Sequence, residues 1–311
     1  MTCERCEQPA AHPTRTLTGA LICAECLVDF YTRCGGCDGW HHSDEHCPNS
    51  CPCGDDDCDL CADDAFDDLV HDYSYQPRPV FHGDGPLFLG PEIEVEVGAG
   101  NPHRCAEIAF RGLGDLGYLK RDGSLTCGFE IVTHPMAYDW ALANFPWDML
   151  GRLRDNGCLA TDTTGIHVHL SRAGFSSVAH SYRWMKFIYR NERQVQQVAR
   201  REASQWAAFC PEDRRAIKNY VKGDWYGPRY RAINTNNEHT FELRVFAGSL
   251  DPQTIQAAFA FSVATVEYTR QLSVAAIASG GWGWAAFTGW LAGQSAYTPL
   301  VRQLEALSCA C

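Results

Sequence analysis

The chain has 311 residues, enough for one large domain or two, and its 45% hydrophobic content is enough for a substantial core. The net charge of −12 is unevenly spread: residues 1–85 hold 4 Arg or Lys against 17 Asp or Glu, and the remainder 22 against 21. The acidity therefore belongs to the N-terminal part, where it excludes a nucleic-acid surface.

Cysteine divides the same way, with 11 of 17 before residue 62. Both shifts place a boundary near Tyr-Gln-Pro-Arg-Pro and Gly-Asp-Gly-Pro, which are linker chemistry. The expected organisation is a Cys/His-rich module over 1–72, a linker over 73–86 and a larger domain over 87–311. The start Met-Thr-Cys-Glu-Arg-Cys has no apolar segment behind a basic one. A reducing cytoplasm is the expected compartment, and there thiolates favour metal over disulfides.

In the module, Cys3-x2-Cys6 and Cys23-x2-Cys26 are spaced as two knuckles of a tetrahedral thiolate zinc site. An economical partition adds Cys34, Cys37 and Cys47 with one of His41, His42 and His46 (we take His42), and then Cys51, Cys53, Cys58 and Cys61. A cross-braced pairing of the RING or LIM kind fits the same spacings, so two or three structural zinc ions are expected. So short and polar a segment needs metal to fold. Its acidity suits a structural role or docking of a protein partner.

The larger domain opens on Gly90-Pro91-Glu92-Ile93-Glu94-Val95-Glu96. As a strand this puts Glu92, Glu94 and Glu96 on one face and Ile93, Val95 and Val97 on the other. Carboxylates so close repel one another unless cations neutralise them, and hard divalent metals with oxygen ligands are the usual answer. Pro102 to Leu116 reads as a helix with Ile108, Phe110 and Leu113 among its apolar positions. Tyr118 to Ser124 reads as a strand entering an Asp122-Gly123 turn, followed by a strand with Glu130 between apolar neighbours. A helix is expected at about Tyr138 to Asn156. Gly165-Ile166-His167-Val168-His169 places two imidazoles on one strand face.

His180 to Phe209 reads as one long helix opening a basic tract: Arg183 to Arg231 holds 12 Arg or Lys against 5 Asp or Glu. Arg183, Lys186, Arg190 and Arg193 form a stripe on it that suits either solvent or an anionic ligand such as a nucleotide or an acidic peptide. The last informative strand, Thr240 to Phe246, turns Glu242 and Arg244 away from Phe241, Leu243 and Val245. Four strands thus share one design, an apolar face and a polar face. An α+β fold follows, with an antiparallel sheet, helices packed on one face and an open carboxylate and imidazole basin for divalent metals on the other. Gln271 to Val301 carries no charge, but glycines and Pro299 interrupt it and Trp282, Trp284 and Trp290 sit in its middle. It reads as buried helices with a break, and no membrane span is expected.

With these residues in hand, 87 to about 260 resembles the amidoligase family, carboxylate-amine ligases of the glutamine synthetase fold that include gamma-glutamylcysteine ligase. The likeness rests on Gly90-Pro91-Glu92-Ile93-Glu94, on Asp122-Gly123-Ser124 with Glu130 and Pro135, and on Gly165 to His169. It is completed by Arg229-Tyr230 and Asn234 ahead of Glu242-Leu243-Arg244-Val245-Phe246.

The resemblance implies Glu92, Glu94, Glu130 and Glu242 as ligands of two or three magnesium ions. It implies that one or both of His167 and His169 contact metal or ATP phosphate, with Arg229 and Asn234 also on the nucleotide side. Arg244 would stabilise the transferring phosphoryl group, and Asp122 and Ser124 would position substrate. The implied reaction joins a carboxylate to an amine through an acyl phosphate, on a peptide, a protein or a small amino compound. Competing readings are a phosphotransferase or metal-dependent hydrolase on the same basin, and a zinc-dependent interaction protein with an inactive ligase-like domain. The zinc module and the Trp-rich C-terminal part lie outside the likeness.

Overall fold

The computed structural model describes residues 2–33, 39–43, 66, 68–201, 207–222 and 230–309. The chain forms two compact units, Met1–Asp68 and Leu69–Cys311.

In the first unit, β1 (Thr14–Arg15) pairs antiparallel with β2 (Leu21–Ile22), a helix covers Ala24–Phe30, and β3 (Tyr31–Arg33) pairs with β4 (Trp40–His42). Its core is Cys3, Ile22, Cys26 and Leu27, with Ala20, Cys23, Tyr31 and Trp40 packed against it. Two of those four buried groups are thiols, so among the described residues the apolar burial is small. The expected ligands Cys34, Cys37, Cys47, Cys51, Cys53, Cys58 and Cys61 lie outside the described residues.

The second unit is built on an eight-stranded mixed sheet. Its strands are β5 (Val70–His71), β6 (Leu89–Val97), β7 (Gly117–Lys120), β8 (Gly128–Thr133), β9 (Cys158–Leu159), β10 (Gly165–Ser171), β11 (Ile233–Asn234) and β12 (Thr240–Ala247). The order is β11-β12-β10-β6-β8-β7-β5, with β9 pairing the end of β6. Every pair is antiparallel except β5 with β7 at the edge, so the sheet is not wholly antiparallel as expected. That edge strand comes from residues assigned to the N-terminal module. His82 of the expected linker also bridges to Met136, so the stretch after residue 68 belongs to the second unit.

The four strands read from their alternation are neighbours, β12-β10-β6-β8, and their register aligns the two faces. Ile93 stands opposite both Ile131 and Ile166, Val95 opposite Phe129, Val168 opposite Leu243 and Leu170 opposite Phe241. All of these apolar side chains are buried. Helix Pro252–Arg270 packs on β10, Glu192–Ala199 on β12, and Pro102–Leu113 on β7 and β8.

Helix ends follow local chemistry that periodicity passes over. The expected helix from Tyr138 to Asn156 is two, Tyr138–Asn144 and Trp147–Asp155, because Pro146 cannot donate to the preceding turn. The expected long helix from His180 is also two, Val178–Arg190 and Glu192–Ala199. Asn191 interrupts it by donating its amide to Phe187 O and Trp282 O at 2.8 and 3.0 Å. The basic stripe is divided by that break, and Arg183 is engaged with Thr269 O at 3.1 Å. Phe110, expected as a core position, is 46% exposed, because the helix buries Cys105, Ala106, Ile108, Ala109 and Leu113 instead. The uncharged C-terminal stretch forms Val274–Ala278 and Trp284–Leu291, with Phe287 and Leu291 buried. No helix among the described residues is long and apolar enough to cross a membrane.

Candidate functional site

The register that stacks the apolar residues also lines up the polar ones. His169 stands opposite Glu242, His167 opposite Glu92, Glu94 opposite Glu130, and Glu130 opposite Lys120. A row of carboxylates and imidazoles therefore runs across β12, β10, β6 and β8. Between Ile166 and Val168 the pairing with β12 slips by one residue, so Arg244 and Val245 together face His167. Such a bulge re-aims side chains, and here Val245 and Phe246 are both buried while Arg244 turns into the row and pairs with Glu242.

His167 is the hub. Its Nδ1 lies 3.7 Å from Glu92 and 3.8 Å from Glu242, and its Nε2 lies 3.6 Å from Glu94. These separations are too long for hydrogen bonds, and Nδ1 is buried with no hydrogen-bond partner. The ligand atoms of Glu92, His167 and Glu242 lie within 4.8 Å of one another, as do those of Glu94, Glu130 and His167. Either group could hold a metal ion. His169 Nδ1 is hydrogen-bonded to Thr240 Oγ1 at 2.9 Å, which turns Nε2 to within 3.2 Å of Glu92 without hydrogen-bond geometry. A ring fixed through one nitrogen with the other presented to carboxylates is the arrangement of a ligating or phosphate-facing histidine.

Burial pushes Glu130 well above the usual carboxylate range, and Glu92, Glu94 and Asp122 push it further. Burial raises Glu94 as well. For Glu92 and Glu242 burial acts in the same direction, but the neighbouring imidazoles, with Arg244 beside Glu242, outweigh it and hold both down. His169 has the converse balance: burial lowers it, yet Glu92 and Glu242 raise it to about 9. Burial thus disfavours the charged forms of Glu130 and Glu94, and a divalent cation between them would favour those forms.

The remaining expected residues take distinct places. Asn234 is buried and donates to Glu242 Oε2 at 2.8 Å, with Asn237 at 3.3 Å from the same oxygen, so Asn234 positions a carboxylate of the row. Asp122 accepts from Ser124 N at 2.7 Å and from Ser124 Oγ, a closed turn. Asp122 and His167 line two adjoining cavities, of 440 Å³ on the side of Arg244 and 280 Å³ on the side of Glu242. Arg229 lies outside the described residues.

Glu96 is apart from the row. Its two oxygens accept from Thr126 N and Cys127 N at 2.8 and 2.9 Å, tying the loop before β8. Glu96→Ala is expected to cost about 1–3 kcal/mol in a urea titration by orphaning those donors, and to leave metal binding by the row unchanged. Lost metal binding would return Glu96 to the site.

Contributors that escape the sequence reading include Asn237, beside Glu242. Tyr73 of the expected linker lines both cavities, Lys120 lines the smaller one, and Arg201 lines the larger. Lys120 was accessible from the alternation of β7, which sets it opposite the face of Leu119; Arg201 falls within the basic tract without being singled out there, and nothing local marks Tyr73.

In the first unit the Cys3, Cys6, Cys23 and Cys26 sulfurs lie within 4.8 Å of one another and are positioned to bind a metal. Backbone N–H groups of Cys23, Cys6 and Arg5 hold the Cys3 thiol down at about 6. Burial and the adjacent sulfurs push Cys26 up to about 12. Four thiolates cannot share so small a space without a cation. Glu7, just past the first knuckle, has φ +61° and donates its N–H to Cys3 O at 2.9 Å. His42, expected as a nitrogen ligand, accepts from Arg5 at 3.0 Å, and the cysteines expected beside it lie outside the described residues. Neither a scan of protein-family models nor a search of curated proteins finds a match to this chain.

Proposed function

We propose that the second unit is an ATP- and magnesium-dependent carboxylate-amine ligase of the amidoligase kind, built on a glutamine synthetase-like sheet. The observation that carries this reading is the convergence of Glu92, Glu94, Glu130 and Glu242 on His167, beside a cavity faced by Arg244.

Carboxylate oxygens are the donors magnesium takes, and four carboxylates gather about the His167 ring, two of them at its orphaned Nδ1, so the donor set fits. When bound, magnesium would neutralise triphosphate charge and the charge that develops at the transferring phosphoryl group. Arg244 adds planar donors at that place, held in register by Glu242. Asn234 and Asn237 keep Glu242 oriented. Asp122 faces both cavities, where a carboxylate would attract the ammonium form of an amine and take its proton. In the chemistry proposed, a substrate carboxylate oxygen displaces ADP from the terminal phosphorus, and the amine then displaces phosphate from the acyl carbon, leaving an amide.

The test is ATP turnover by the full chain in magnesium, with and without a pool of amino acids and acidic peptides. ADP release that requires one carboxylate and one amine is the expected result. Transfer of phosphate to an acceptor without amide formation would favour a phosphotransferase, and bond cleavage without ATP a hydrolase. A folded, zinc-loaded protein that binds no nucleotide would leave an interaction protein as the reading.

A further inference from the structure

Among the described residues two arginines face the 440 Å³ cavity, and they are not equivalent. Arg244 is paired with Glu242. Arg201 is 9% exposed, donates one terminal nitrogen to Phe246 O at 3.2 Å, and keeps its Nε buried with no hydrogen-bond partner. Among the described residues Arg201 forms no ion pair; Glu94 favours its charge only from a distance, and Arg244 opposes it.

The backbone delivers this side chain deliberately. Helix Glu192–Ala199 ends at Arg200 with φ +55°, a conformation that an L-residue adopts at a cost, and the chain then turns Arg201 back over β10. Beneath it lies Gly165, where a Cβ would come within 2.6 Å of the Arg201 guanidinium and 3.1 Å of His167 Nε2. Only glycine leaves that space. The same Gly165 N–H donates to Glu94 at 2.6 Å, so the strand carries a metal-row carboxylate and makes room for the guanidinium at one residue.

An arginine stays protonated at any working pH, and burying its charge without a counter-charge is costly. Nε and the neighbouring terminal nitrogen form a parallel fork that matches a planar carboxylate or two phosphoryl oxygens. We propose that Arg201 is an oxyanion-binding residue of this cavity, taking a carboxylate or phosphoryl group on that fork beside the metal row. This deepens the reading above and rests on it in treating the cavity as the reacting chamber. The oxyanion is either the carboxylate of the molecule to be ligated or a phosphate of the nucleotide.

Calorimetric titration of the full zinc-loaded chain in magnesium separates the two sources. The phosphoryl probes are tripolyphosphate and ADP, the carboxylate probes are glutarate and succinate, and the proteins are wild type, Arg201→Gln and Arg201→Lys. Arg201→Gln is expected to weaken one probe class about 10–100-fold, with Arg201→Lys in between because it keeps the charge but not the fork. Loss confined to tripolyphosphate and ADP assigns the nucleotide, and loss confined to glutarate and succinate assigns the substrate. The ligand-free Arg201→Gln protein is expected to melt no lower than wild type, since it has lost an uncompensated buried charge.

Equal affinities in wild type and variants, or no binding of either class to wild type, would overturn the proposal. Should Arg201→Gln fail to fold, wild-type affinity in Arg201→Lys does so alone. Arg201-dependent binding without ATP turnover keeps this assignment and removes the ligase; turnover with affinities insensitive to Arg201 does the reverse.

Discussion

Glu242→Gln is expected to reduce ligation by about 10³-fold or more while leaving the fold intact, a loss comparable to or beyond that of removing one transition-state donor. Glu242 receives Asn234, Asn237 and Arg244 and lies near both His167 and His169. Gln has the same shape but is neutral, so it weakens the magnesium ligand set and releases Arg244 from its ion pair. Some stability should be lost without loss of the fold, because Gln leaves the buried Arg244 without its counter-charge and the neighbouring cations favour the charged carboxylate. The check pairs ADP release and product formation with a thermal melt. Arg244→Ala should show the same fall in turnover. Wild-type turnover in either variant would remove both residues from the mechanism, and a collapsed melt would assign Glu242 a structural role instead.

Stripping zinc is expected to unfold residues 1–68 and to leave residues 69–311 folded. Among the described residues the core is Cys3, Ile22, Cys26 and Leu27, a small one, and cores of small scaffolds rarely supply more than about 3–5 kcal/mol. Structural zinc contributes about 10–16 kcal/mol of apparent binding energy in small metallo-modules. Losing it therefore exceeds any margin this unit has. Cys26→Ser should act in the same direction, since Cys26 is both a ligand candidate and a core side chain. Released zinc, measured colorimetrically, should track the appearance of protease cuts before residue 69 and not after it. Cuts appearing in both units together would mean that they are not independent, and an unchanged pattern after full zinc removal would mean that the four thiols are not a folding site.

The alternation of β6, β8, β10 and β12 was legible because a strand has period two, so each residue's face follows from the one before it. Ile93, Val95, Val168 and Leu243 went to the core, and Glu92, Glu94, Glu130, His167, His169 and Glu242 to one polar row, as alternation requires. Helix lengths were less legible. A hydrophobic period continues straight through Pro146 and Asn191, but a missing N–H and a competing side-chain amide end the helix there. Glu96 shows the limit of the alternation itself: it lies on the same strand, yet its two oxygens are taken by Thr126 and Cys127 N–H groups and it stands apart from the polar row.

What the sequence determined by itself is what repeats locally: the two knuckles at Cys3-Cys6 and Cys23-Cys26, the polar and apolar faces of four strands, and the acids and imidazoles that share one face. Tertiary structure decided what depends on distant segments meeting. Strand order made His167 the shared neighbour of Glu92, Glu94 and Glu242, and a one-residue slip aimed Arg244 into the row. The turn after Ala199 laid Arg201 over Gly165, and the stretch after residue 68 brought Tyr73 to the cavity. Side-chain direction is set by a residue's own backbone, whereas the neighbours it meets are set by long-range packing that no local period encodes.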